Sequence, residues 1–156
     1  MDIVSYLSQS IYPKLLPMDA AVQDYIKRQP EDRQKLMTAL HAAILTNDSK
    51  VSPVIEPMMG KEMIIYKCKT MMKYGLSSMK EYMSLHALPI YMHPTLHTKY
   101  QALLNKASFQ KGCINFTSAE QMPLAVVGPF IKECSAVDLE KIREEQLKKR
   151  KAVKKK

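Results

Sequence analysis

The hydrophobic pattern of this 156-residue chain changes period twice, and that change restricts its fold more than any other feature. Before about position 48 the apolar residues recur every three to four positions. Val22, Tyr25 and Ile26 share one face of a helix with Asp19 as its N-cap, and Leu36, Leu40, Ala43 and Ile44 give a second helix its stripe. Gln29-Pro30 separates the two. Pro30 suits the first turn of the second helix, where Glu31 and Asp32 complement the dipole, and Asn47-Asp48 should end it. After that the period falls to two. Val54–Met58, with Pro53 and Pro57, reads as a short edge strand, because proline cannot donate to a ladder. Met59-Gly60-Lys61 reads as a tight turn, and Glu62–Lys69, with Met63, Ile64, Ile65 and Tyr66, as a strand. Tyr74-Gly75-Leu76-Ser77-Ser78 reads as a loop. Glu81–Tyr91 alternates Met83, Leu85 and Ala87 against Tyr82, Ser84 and His86, the signature of a strand with one face in the core.

The helical period then returns. Pro94 opens a helix through Leu96, Tyr100, Leu103 and Leu104, and Gly112–Phe116 is a short strand with Ile114 and Phe116 on one side. Pro123 starts another helix carrying Leu124, Val127 and Ile131, in which Pro129 predicts a kink or a late start. Ser135-Ala136-Val137-Asp138 resembles a weak capping box ahead of a final helix with Leu139 and Ile142. Strands grouped in the middle and joined by short turns predict an α+β fold: an antiparallel sheet of four to five strands with helices packed on it, not a βαβ series. The division that follows is an N-terminal extension (1–18, with Ile3, Leu7 and Ile11 at helical spacing), a domain (19–136), a C-terminal helix (137–147) and a basic tail (148–156).

Composition narrows the setting. With 46% apolar and 25% charged residues the chain is expected to be a soluble globular domain, and no apolar run is long enough to span a bilayer. Asp2 and the lack of a basic stretch ahead of an apolar run argue against a secretory signal, so the expected location is cytoplasmic. The net charge of +9 is concentrated at the end. Lys148, Lys149, Arg150, Lys151, Lys154, Lys155 and Lys156 supply seven basic residues, and removing them from 24 leaves 17 against 15 acidic ones, +2 over positions 1–147. Such a tail binds polyanions such as RNA or DNA through counterion release, weakly and without reading sequence, since it has no aromatic residues for base stacking. Cys68, Cys113 and Cys134 are widely spaced, with no CxxC pair, and read as free thiols.

No phosphate-binding glycine loop, no GxSxG elbow and no paired carboxylates stand out, so a non-enzymatic binding or interaction module is expected. His93 and His97 have metal-ligand spacing, but Pro94 places a helix boundary between them and no HExxH pattern is present. Eight of the twelve methionines (Met58, Met59, Met63, Met71, Met72, Met79, Met83 and Met92) fall between positions 58 and 92. Three readings stand: an irregular core, a pliable groove for partners, or a Cu(I) site of thioethers with Cys68 and His86. The expected ligand cleft lies on the polar side of the central strands, at Tyr66, Lys80, Tyr82 and His86.

Several segments together resemble a known family. Ala21-Val22-Gln23-Asp24-Tyr25-Ile26 leads to Gln29-Pro30-Glu31-Asp32-Arg33. Glu56-Pro57-Met58-Met59-Gly60 and Lys80-Glu81-Tyr82-Met83-Ser84-Leu85-His86 follow, then Lys111-Gly112-Cys113-Ile114-Asn115-Phe116 and Pro123-Leu124. In order and spacing these resemble YdhG-like domains, a bacterial family long described as a domain of unknown function, over roughly positions 20–136. The resemblance implies helices covering an antiparallel sheet. Some members are described as frataxin-like iron chaperones, which implies iron as a cargo and Asp19, Asp24, Glu31 and Asp32 as its carboxylate ligands here. No other cofactor is implied. A protein or small-molecule partner is expected, and a homodimer is left open.

Overall fold

The structure, a computed structural model, describes residues 18–155, so the expected helix with Ile3, Leu7 and Ile11 lies outside the described residues. The first two helices, α1 (Ala20–Lys27) and α2 (Glu31–Asn47), form where the apolar spacing places them. Asp19 caps α1, its Oδ1 accepting from the Ala21 amide at 2.8 Å. Pro30 is the N-cap of α2 and does not lie in its first turn; the helix begins at Glu31 and ends at Asn47.

Six strands follow in the order β1-β2-β3-β4-β6-β5, every neighbouring pair antiparallel, which adds a strand to the four to five expected. They are β1 (Ser52–Met58), β2 (Lys61–Cys68), β3 (Met71–Ser78), β4 (Met83–Ala87), β5 (Ser108–Phe109) and β6 (Cys113–Phe116). β1 lies at the edge, where Pro53 and Pro57 are tolerated. The Met59-Gly60 turn joining β1 to β2 has both residues at positive φ (51° and 80°), as a two-residue hairpin loop requires.

Two expectations are corrected. Tyr74–Ser78 is not a loop: it lies in β3, paired on both sides, because Tyr74 and Leu76 are fully buried core residues. Glu81–Tyr91 is a strand only over Met83–Ala87; Leu88–Met92 turns into the short helix α3, with Pro89 in its first turn.

Helix α4 (Pro94–Leu103) leads to β5 and β6. A 3-10 turn (Ala119–Gln121) then leads to α5 (Leu124–Ser135), which starts without delay and runs through Pro129. The last helix, α6 (Leu139–Lys154), is capped by Asp138, whose Oδ1 accepts from the Lys141 amide at 3.0 Å; Ser135 is the last residue of α5. α6 continues past position 147 into the basic tail, and Leu139 is its one buried residue. Among the described residues no helix is long and apolar enough to cross a membrane.

The core lies on one face of the sheet. Cross-strand rows Tyr66–Tyr74–Ala87 and Ile64–Leu76–Leu85–Ile114 pack against Val22, Tyr25, Leu40, Ile44, Tyr100 and Phe130 of the helices. A β-bulge completes this face. Tyr66 pairs with Tyr74, but Lys67 pairs with Met72, so Lys73 has no partner across the ladder. A bulge re-aims its extra side chain. Here the Lys73 ammonium meets the Asp48 carboxylate at 2.9 Å, with side-chain exposures of 3% and 0%. Asp48 also accepts from the Tyr74 hydroxyl at 2.8 Å, and Lys73 donates to the Ser135 carbonyl at 3.4 Å. The residue after α2, the middle of β3 and the end of α5 are thereby tied together.

Candidate functional site

Alternation sends the remaining strand residues to the opposite, second face. Two cross-strand rows there are directly aligned. Ser77, Ser84, Asn115 and Ser108 form one, on β3, β4, β6 and β5. Ile65, Gly75, His86 and Cys113 form the next, on β2, β3, β4 and β6. This face lies outside the main core: Met63 and Ile65 are buried, at 3% and 4% exposure, without joining it. It has a different chemical character from the core face.

Three buried side-chain oxygens on this face, Ser77 Oγ, Ser84 Oγ and Asn115 Oδ1, have no hydrogen-bond partner among the described residues. All three belong to the first row. A fourth such oxygen, Glu133 Oε2, lies on α5. Leaving a buried polar group unpaired costs roughly 1–3 kcal/mol, so a row of three is an expensive feature of a folded sheet. The core face shows the opposite habit: its polar groups are paired, as in Asp48 with Lys73 and Tyr74, and in the Tyr66 hydroxyl with His41 Nδ1 at 2.7 Å.

The second row adds titratable groups. His86 is half-buried, and burial holds its imidazole below the usual histidine range, which favours the neutral ring at neutral pH. Cys113 is half-buried too. Burial pushes its thiol up, while the adjacent Ser84 pulls it the other way, and its sulfur donates to Gln110 Oε1 at 3.0 Å. Gly75 leaves room in the middle of the row. A Cβ there would lie 2.8 Å from Met72 Cε, 3.1 Å from Met63 Sδ and 3.5 Å from His86 Cβ, so both methionine ends close over the glycine.

The structure brings together only part of the expected cleft. His86 sits on the second face. Tyr66 lies on the core face, fully buried, because its register partner is Tyr74 and not Gly75. Lys80 and Tyr82 belong to the β3–β4 turn. There Arg33 of α2 gathers the chain, donating to Ser78 Oγ at 2.8 Å and to the Lys80 carbonyl at 3.2 Å, with further bonds to the Met79 and Tyr82 carbonyls. Ser77, Asn115, Cys113 and Gly75 were not among the expected cleft residues. Ser77 and Gly75 fall in the segment whose composition predicts a loop, and Cys113 and Asn115 on the outward side of a short strand; their alignment depends on long-range register that no local spacing reveals.

The acids expected to hold iron do not form a site. Asp19 spends its Oδ1 on the α1 cap, and Asp24 is engaged by Arg28 at 3.2 Å. Glu31 and Asp32 open a different helix, and among the described residues no three His, Cys, Asp or Glu side chains gather to hold a metal. Hard iron ions want several oxygen ligands free of neighbouring cations. The four residues do not fit that group. The histidine pair is likewise divided by its helix boundary: His93 is the N-cap position of α4, and His97 Nε2 lies 2.8 Å from the Gln110 carbonyl. Cys68, the thiol of the expected Cu(I) set, lies at the end of β2 and lines a different feature.

That feature is a cavity of about 170 Å³ between the β2–β3 turn and the α5–α6 corner, lined by Lys50, Cys68, Lys73 and Leu139 among others. Lys69, also on its wall, pairs with Glu140 at 2.9 Å. A more open hollow of about 430 Å³ lies beside α5, at Asn47, Tyr100, Gly128 and Glu133. Comparison with protein-family models, with curated proteins and with solved structures finds no match for this chain.

Proposed function

We propose that this chain is a non-enzymatic binding module of YdhG-like type, with its ligand site on the second face of the sheet around His86. The row of unpaired oxygens at Ser77, Ser84 and Asn115 carries this reading. Hydroxyl and amide oxygens aligned across three strands offer hydrogen bonds to a small polar ligand, and a neutral imidazole next to them adds one more donor or acceptor. Among the described residues, the thiol on this face is not an activated nucleophile. The Cys113 thiol is pushed up, the wrong direction for catalysis. Three free cysteines fit a reducing, cytoplasmic setting.

A thermal-shift screen of small polar metabolites against the wild type, Ser84→Ala and Asn115→Ala tests the site. A compound that stabilises the wild type and neither variant supports it. Hits that stabilise all three proteins equally place binding elsewhere and overturn the assignment.

A second reading rests on α6, which carries Lys148, Lys149, Arg150, Lys151 and Lys154, all exposed. The charges lie on every side of the helix, as suits a polyanion bound without fixed register. Deleting 148–156 should abolish retention on a polyanion matrix at low salt; retention by the shortened chain would contradict this role.

A further inference from the structure

We propose that residues 1–17 of this same chain dock on the apolar half of the second face, with the stripe Ile3, Leu7 and Ile11 seated over Met63 and Ile65 of β2 and their neighbours Val54 of β1 and Met72 of β3. The second face is divided. Its polar residues run from β3 to β6, whereas β1 and β2 give it Val54, Met63 and Ile65, and Met72 closes over Gly75 from β3. Met63 and Ile65 are almost fully buried. Among the described residues no helix covers them. The buried apolar residues of α1, α2, α4 and α5 all belong to the core on the other face, as does Ile90 of α3. α6 buries Leu139 alone, at its corner with α5.

Chain geometry and composition select this occupant. Residues 1–17 lead into Met18, which packs against the core, and into α1, which lies on β1 and β2. β1 is the edge strand, so a single strand separates that entry point from the apolar half of the second face. Pro13 and Pro17 bound a connector that breaks helical continuity. Its five residues, extended, reach about 17 Å, enough to round one strand. The spacing of Ile3, Leu7 and Ile11 predicts a helix over residues 3–12, about 15 Å long. Strands lie about 4.8 Å apart, so that length crosses β1, β2 and β3. Residues 3–12 also contain no charged side chain, in a chain with 25% charged residues. A helix surrounded by water carries charges on its outer side; this segment has only Ser5 and Gln9 opposite its stripe, which suits packing against protein. The docked segment lies beside the row of unpaired oxygens and requires no ligand on it, so this proposal and the ligand site fail separately.

The test is methyl NMR on the full chain. Nuclear Overhauser contacts should join the Met63 and Met72 methyls to those of Leu7 and Ile11, within one molecule, in samples filtered for intramolecular pairs. A soluble paramagnetic agent should broaden the methyl of the exposed Met59 and spare that of Met63. Leu7→Asp should increase the broadening of Met63 several-fold, while the buried core methyls of Met37 and Met83 stay sharp and report an intact fold. Gln9→Glu, on the opposite side of the stripe, should change nothing. If Leu7→Asp does not fold, the wild-type contacts decide alone. Missing contacts, contacts found only between differently labelled copies, a Met63 methyl that stays protected in folded Leu7→Asp, or equal exposure in Gln9→Glu would each overturn the docking.

Discussion

The two faces of one sheet are built from the same strands by opposite rules. On the core face, large apolar side chains interlock with the helices, and polar groups enter only with partners. Lys73 meets Asp48, Asp48 meets Tyr74, and Tyr66 meets His41. On the second face, small polar residues and two methionines line up with their oxygens unpaired. A sheet needs one face for stability. The contrast assigns that task to the first, and the proposed function assigns binding to the second.

The sharpest way to break this contrast is to remove a partner from the core face. Asp48→Ala leaves the Lys73 ammonium buried and uncompensated, and should cost about 3–5 kcal/mol in urea unfolding. A loss below 1 kcal/mol would mean that the bulge does not anchor the fold.

A change of pH acts next, through histidine. Burial lowers the pKa of His41, against a smaller opposing pull from Asp19, and burial also lowers that of His86. The unfolded chain then takes up protons first as pH falls. The stability these rings contribute is fully present above their unfolded value of about 6.5 and is lost as pH drops below it towards the lowered folded values. Urea midpoints at pH 7.5 and pH 5 should differ in that direction, and His41→Asn should flatten the difference. An equal drop in that variant would assign the effect to other groups.

The smallest effect is expected at the end of the chain. Only Leu139 of α6 is buried, so deleting residues 148–156 should change the stability of the body by less than about 0.5 kcal/mol. A larger loss would show that the tail helix packs on the body.

The parts of this molecule that depend on local pattern were readable in advance. Asp19 capped the helix its spacing announced, Pro53 and Pro57 marked an edge, and Met59-Gly60 made the turn. Reading failed where tertiary packing overrode punctuation. Gly75, Ser77 and Ser78 look like a loop, yet Tyr74 and Leu76 between them fill the core and hold the segment in a central strand. The cleft failed for a related reason. Tyr66 and His86 were assigned to one side by alternation within their own strands, but register across three strands aligns Tyr66 with Ala87, the neighbour of His86, and puts the two on opposite faces. Likewise, His86 was paired with Cys68 through composition, whereas the ladder sets it against Cys113.

The central claim, that the second face carries polar groups for binding and not for stability, is tested most directly by the unfolding free energy of Ser77→Ala. Ser77 Oγ is buried without a partner among the described residues, so its removal should leave the ligand-free protein equally stable or up to about 1 kcal/mol more stable. A loss of more than 1 kcal/mol would show that the hydroxyl supports the fold, and would contradict the division between the two faces.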